Sequence, residues 1–420
     1  MYDPNSLHYF VYDRDDNGDG KRDPAYLAGV GGPEGFLYET DARKQLIVNR
    51  LKSSAAFPNT PVNGIYFHAL RSFGGDAGSD KTQTPFIDNA NPDSGLSPTK
   101  MANWRTYLKQ LDDAGVILWF NLMDDHAAPY GCRDDVRYAK YAKDIVNQFK
   151  DFKNLIWITQ EEYRWTSIGS PRVSCSTADD DARQSNLAKA IRDADPVHPI
   201  GTHQMGNGVN NLPNDPIIKV FGQQTTANSP EAMHDTAGEL GWGNWAYVMA
   251  EAHPWHMNLI SNELSSGTGR EPLRRSHWAT AMSGGSVMMY NSFEGANDPT
   301  DALLDDLRRL RAFMESTRFN EMAPLFDIGS DTALSNARND GTKYILADQA
   351  AGLYILYGDL NTSKLGVRNA PAGNYELKWF DPASGASVTQ PSVAVPAGGL
   401  ASFNKPSGLG VEVAVYMRKL

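Results

Sequence analysis

From about residue 40 to about residue 320 the chain alternates two patterns: short uninterrupted apolar runs, and longer segments with an apolar stripe at helical spacing. Thr40 to Ser53 reads as a helix with Thr40 as its cap and Leu46, Ile47 and Leu51 on one face. Gly64-Ile65-Tyr66-Phe67-His68-Ala69-Leu70-Arg71 follows as a strand. A helix over Asn103 to Asp113, with Gly115 as its stop, leads into Val116-Ile117-Leu118-Trp119-Phe120-Asn121. Tyr138 to Lys150 and Asp181 to Asp193 read as helices, and Asp301 to Glu315 as the last one. Asn154 to Ile158, Ile200 to His203, Ile217 to Phe221, Trp245 to Met249 and Ser286 to Tyr290 read as strands. Continuous apolar strands between helices imply a parallel sheet buried on both faces. With Leu7 to Tyr12 as the first strand the count is eight, which predicts a (β/α)8 TIM barrel.

Near Phe326 the pattern changes. Short alternating runs, such as Leu353 to Tyr357, Tyr375 to Trp379 and Val411 to Val415, are split by Asn-Asp-Gly and Pro-Ala-Gly turns. That predicts a small C-terminal antiparallel β-sandwich. The division is a barrel over 1–325, carrying an acidic loop at 13–24, and a sandwich over 326–420.

Composition narrows function by exclusion. With 39 Lys+Arg against 50 Asp+Glu the net charge is −11, and no basic block interrupts it. Neither nucleic acid nor an anionic membrane is an expected partner. No GxGxxG follows the first strand, and no P-loop, HExxH or GxSxG occurs. The N-terminus Met1-Tyr2-Asp3-Pro4 lacks a basic then apolar leader, so the chain is cytosolic or begins after a removed signal peptide.

Barrel chemistry sits at the C-terminal ends of the strands. Those ends carry His68 and Arg71, then Asn121, Asp124, Asp125 and His126, then Gln160, Glu161, Glu162 and Tyr163. His203, Gln224, Glu251, Trp255 and Tyr290 complete the set. Carboxylates after strands four and seven, among amides and aromatics, fit glycoside hydrolysis, in which one carboxyl protonates the leaving oxygen and another attacks or activates water. Trp and Tyr offer flat faces for sugar rings, and Asn, Gln, His and Arg read hydroxyls. His68, Arg71, Asn121, Asp124, His126, Glu161, Tyr163, His203, Gln224, Trp255 and Tyr290 are the candidate substrate contacts. Glu263 is the rival nucleophile, read as lying in a loop.

Asn154-Leu155-Ile156-Trp157-Ile158-Thr159-Gln160-Glu161-Glu162-Tyr163 resembles the strand-four motif of clan A glycoside hydrolases. More closely, Ala188 to Pro199, Leu307 to Met314 and Lys378-Trp379-Phe380-Asp381-Pro382-Ala383-Ser384-Gly385 resemble the apiosidase-like bacterial glycoside hydrolases with a C-terminal "putative collagen-binding" sandwich. The resemblance implies a barrel, a retaining mechanism and a secreted or periplasmic enzyme that degrades polysaccharide; the sugar does not carry over, and the leading expectation is a plant or algal polysaccharide or a derived oligosaccharide. It carries the acid/base onto Glu162, in register behind Trp157, and the nucleophile onto Glu251. Gln160-Glu161 departs from the family's usual Asn-Glu or Gly-Asp. Two other readings stay open: a non-catalytic carbohydrate-binding protein on a degenerate barrel, and a metal-dependent hydrolase using Asp124, Asp125, His126 and His203.

Asp15-Asp16-Asn17-Gly18-Asp19-Gly20-Lys21-Arg22-Asp23 follows the start of the D-x-[DN]-x-[DN]-G calcium loop. Asp15, Asn17, Asp19 and Asp23 would supply side-chain oxygens and Lys21 its carbonyl. Tyr26 stands where an EF-hand has Glu, so Asp13 is the candidate for the missing ligand. The expected cofactor is one structural calcium ion near the catalytic face. Cys132 and Cys175, in the loops after strands three and four, are expected to form a disulfide.

Overall fold

The computed structural model describes residues 9–16, 18–78, 80–163, 175–205, 210–225, 229–240, 245–252, 255–290, 292–295, 297–325, 341–360 and 362–420. The chain opens with a small antiparallel pair, β1 (Phe10–Val11) and β2 (Pro24–Ala25). Eight parallel strands then close into a barrel: β3 (Ala28–Gly31), β4 (Gly64–His68), β5 (Ile117–Asn121), β6 (Leu155–Ile158), β7 (Ile200–Met205), β8 (Val220–Thr225), β9 (Ala246–Ala252) and β10 (Ser286–Tyr290), with β10 pairing back onto β3. Around it lie α1 (Asp41–Lys52), α2 (Pro98–Asp113), α3 (Asp135–Phe149), α4 (Thr177–Ala194), α5 (Pro230–Leu240), α6 (Trp255–Ser266), α7 (Arg270–Met282) and α8 (Asp301–Glu315).

Alternation along each strand builds two cores. On β4, Ile65 and Phe67 face the helices, while Gly64, Tyr66 and His68 face the barrel axis. On β5, Leu118 and Phe120 face out, and Ile117 and Trp119 face in. The barrel is filled by Leu27, Tyr66, Trp119, Ile158, Val248 and Met288, all fully buried. Gly222 makes room for the Trp119 ring, since a Cβ there would stand 2.7 Å from it.

The first barrel strand is β3, not Leu7 to Tyr12. Its glycines are there because the strand packs without side chains. A Cβ on Gly29 would meet Met288 Sδ at 2.6 Å, and one on Gly31 would meet Ala250 O at 2.4 Å. The hairpin β1–β2 instead covers the opposite end of the barrel. Phe10, Val11 and Asp13 border a cavity with Ile117, Leu155 and Pro199, at the N-terminal starts of the strands or just before them. The acidic loop therefore lies away from the catalytic face, contrary to the expectation, and Asn17 falls outside the described residues. Two other readings shift. The strand expected at Ile217 to Phe221 runs from Val220 to Thr225, and Glu263 sits on α6 rather than in a loop. There it accepts a hydrogen bond from Thr300 Oγ1 (3.1 Å), the residue that caps α8.

After α8, β11 (Ala323–Pro324), β12 (Tyr344–Asp348), β13 (Leu353–Gly358), β14 (Lys364–Arg368), β15 (Gly373–Phe380), β16 (Ser387–Val395), β17 (Leu400–Asn404) and β18 (Val413–Lys419) form a six-stranded antiparallel sheet and a two-stranded one. Leu365, Val367, Ala401 and Phe403 of the smaller sheet share a core with Leu356, Trp379 and Val415 of the larger, which makes a sandwich. Its outer face is bound to the barrel. Trp278 stacks on Tyr357 at 5.2 Å, Phe313 packs on Phe380 at 5.0 Å, and buried Arg274 donates to Glu412 at 2.7 Å.

Candidate active site

Two local irregularities aim the carboxylates. On β9, Ala246, Val248 and Ala250 line the barrel, so simple alternation would turn Glu251 outward. A bulge shifts the register: Gln223 pairs with Met249, but Gln224 pairs with Glu251. Glu251 thereby joins the inward set and is 1% exposed. After β6, Gln160 turns out, where its Oε1 accepts from Gln184 (2.9 Å) and Arg183 (3.1 Å) of α4, while its amide donates to Asp124 O (3.1 Å). Glu161 turns in. Glu162 has φ 41°, a left-handed conformation that a non-glycine residue adopts at a cost and that is characteristic of functional sites.

One oxygen from each of Glu161, Glu162 and Glu251 lies within 4.8 Å of the other two. Glu161 is pinned: Tyr66 Oη donates to it and His68 Nε2 lies 2.8 Å away. Tyr66 Oη also meets His203 Nδ1 at 2.9 Å. Burial pushes His68 down to about 4 and His203 to about 3, so both rings are neutral at neutral pH. Glu161 is pushed up to about 7, chiefly by burial. Burial, then the charge of Glu161, pushes Glu162 and Glu251 well above the carboxylate range.

Arg71 organises a second group. It reaches Glu34 at 2.8 Å, Asp124 at 3.3 Å, Asp76 at 3.6 Å and Glu294 at 3.9 Å. Asp124 also accepts from the backbone of Asp76 (3.0 Å) and Asp125 (2.7 Å). Asn121 pairs in register with His68, and the half-buried His126 lies 4.0 Å from Asp125. Tyr290 ends β10, and burial followed by the charge of Glu251 raises its hydroxyl. Tyr163 bridges in parallel to Gln204 of β7, which extends the sheet past Glu162. The side chain of Trp255 lies outside the described residues. Reading strand ends missed Tyr66, a strand-interior residue, and Glu34 and Asp76, which sit in loops with no motif around them. Cys132 and Cys175 are joined, with Cα atoms 5.4 Å apart, and Arg183 donates to Cys132 O at 3.2 Å. The disulfide and Gln160 thus brace one support beneath Glu161 and Glu162.

No family model matches the chain, and no curated protein matches it in sequence. Solved structures do. A glycoside hydrolase family 5 structure from Bacteroides vulgatus ATCC 8482 aligns with a TM-score of 0.64 at 12% identity, covering 99% of this chain and 94% of its own. A further glycoside hydrolase gives 0.58 at 14% identity, covering 99% and 97%. An endo-1,4-beta-mannanase from Rhizomucor miehei gives 0.52 at 13% identity over 70% of this chain and 96% of its own. The likeness is one of fold. It establishes the barrel independently of any motif and leaves the chemistry to be argued from the side chains.

Proposed function

We propose that the protein is a retaining glycoside hydrolase, with Glu162 as acid/base and Glu251 as nucleophile. The observation that carries this reading is the convergence of Glu162 and Glu251 from opposite walls of one barrel mouth, with oxygens within 4.8 Å. That spacing suits direct attack on the anomeric carbon, since an inverting pair stands ~6.5–9.5 Å apart to admit a water. Glu162, held protonated by burial beside Glu161, gives its proton to the leaving oxygen. Glu251 forms a glycosyl ester, which water cleaves with Glu162 acting as base. Carboxyls this close cannot all ionise, so loss of one proton holds the others in place. The fold of the solved glycoside hydrolases and the apiosidase-like motifs support the reading. The disulfide favours a secreted or periplasmic location.

Proton NMR on freshly released product is the test. The first anomer formed is expected to keep the configuration of the bond cleaved; initial appearance of the opposite anomer would exclude a glycosyl-enzyme. A protein that binds saccharides without turnover would instead be a binding module on the same barrel.

Calcium in the β1–β2 loop is part of the same proposal, in a structural role. Asp15 already gathers the N–H groups of Gly18 (2.8 Å), Asp19 (3.2 Å) and Gly20 (2.9 Å), which curls the loop as a D-x-[DN]-x-[DN]-G segment requires. The Lys21 side chain is drawn away to Glu321 (2.9 Å). Adding calcium to metal-stripped protein is expected to raise Tm by a few degrees, about 2.7 kcal/mol at a hundredfold excess over Kd. Asp15→Ala and Asp19→Ala should abolish the response, and a Tm indifferent to calcium rules the site out.

A further inference from the structure

Resting on that reading, we infer that the sugar held at the cleavage point carries a free amine next to its anomeric carbon, as in a 2-amino-2-deoxyhexose unit. The bond broken lies between Glu162 and Glu251, and Glu161 stands within 4.8 Å of both. A ring placed for attack therefore sets a neighbour of its anomeric carbon against Glu161. Of those neighbours, the ring oxygen cannot donate a hydrogen bond and the C2 substituent can. Glu161 is a carboxyl, which when ionised only accepts hydrogen bonds and so matches a donor there.

The surroundings favour a cation rather than a hydroxyl. Asp76, Asp124 and Asp125 converge within 4.8 Å of one another, and Glu34 converges with Glu161 around His68. Against these stands the guanidinium of Arg71, while His68 and His203 are kept neutral by burial. Besides the acidic residues as a group, two buried acceptor atoms, Glu251 Oε1 and its register neighbour Gln224 Oε1, have no hydrogen-bond partner among the described residues. Both await donors, and an ammonium brings three. A uronate or sulfate placed there would face like charge in a dry site. Arg71, 3.3–3.6 Å from Asp124 and Asp76, already occupies the place a divalent ion would take in that second group.

Binding of methyl glycosides tests this without knowledge of the linkage cleaved. Glucosamine, galactosamine and mannosamine glycosides would each be compared by calorimetry with the neutral hexoside, the N-acetylated sugar and, for the gluco and galacto series, the uronate. At pH 7, where Glu161 is partly ionised, and at low ionic strength, at least one amine is expected to bind tenfold or more tightly than its neutral partner, with the uronate weakest. Salt should shrink the difference. Glu161→Gln should remove the preference, and Asp76→Asn, at the exposed rim, should reduce it even where the first variant folds poorly. Equal binding of amine and neutral sugar, tighter uronate binding, or a preference untouched by both substitutions overturns the inference. Neutral glycans cleaved with retention through Glu162 would then leave the proposed activity standing. Absence of both binding and turnover on every saccharide would remove the two together.

Discussion

Glu162→Gln is expected to lower turnover by ~10²–10⁴-fold, the usual contribution of a positioned general acid/base, with no change in secondary structure. The swap is isosteric at a residue 7% exposed, at the rim of the mouth. Glu161→Gln is expected to cost at least tenfold less in rate, because Glu161 sits deeper, held by Tyr66 and His68. The pH profile separates the two further. A carboxyl whose titration is raised in the folded protein stays protonated to higher pH, so activity needing its proton persists there and falls as pH rises through that point. The direction for Glu162 is upward, from burial first and then from Glu161. The alkaline limb of wild-type kcat/KM should therefore lie well above the usual carboxylate range. It should move down in Glu161→Gln, which removes a neighbouring charge, and vanish from the residual rate of Glu162→Gln. If Glu161→Gln abolished turnover while Glu162→Gln left it near the wild-type rate, the assignment would be off by one residue.

How much of this was legible in sequence depended on whether a residue's role follows from periodicity. Seven of the eight barrel strands announce themselves because each is buried on both faces and so reads as an apolar run. β3 does not, because Gly29 and Gly31 are selected for close approach to Met288 and Ala250, which looks like turn chemistry in one dimension. Helix starts drifted for a related reason. α2 begins at Pro98 behind the Ser97 cap, five residues before its apolar stripe becomes readable. α5, α6 and α7 went unread, and Glu263 consequently looked like a loop carboxylate. Within the candidate site, strand-end position pointed to His68, Arg71, Asn121, Asp124, His203, Gln224 and the two carboxyls proposed as catalytic. It could not say that Glu251 faces inward, since that depends on a bulge with no sequence mark. Nor could it show that Gln160, the departure from the family motif, is spent on anchoring the strand end to α4.

Removing the nucleophile should have the largest effect of all. Glu251→Ala is expected to cut turnover by on the order of 10⁴–10⁶-fold, the scale on which covalent machinery fails when its nucleophile is lost. The fold should tolerate it. Glu251 Oε1 has no hydrogen-bond partner among the described residues, and burial, then the charge of Glu161 and Glu162, disfavours its ionised form, so truncation does not break a support. The space left lies where the attacking oxygen stood, and Glu162 remains to protonate the leaving group. Added azide should occupy that space, attack the anomeric carbon from the nucleophile's side and yield a glycosyl azide of inverted configuration. The new carbon–nitrogen bond forms as the carbon–oxygen bond breaks, with the Glu162 proton leaving on the aglycone. Rescue without inversion would show that azide acts elsewhere. A covalent sugar trapped on Glu263 would transfer the role to α6 despite its bond to Thr300, and turnover surviving Glu251→Ala without azide would exclude Glu251 as the nucleophile.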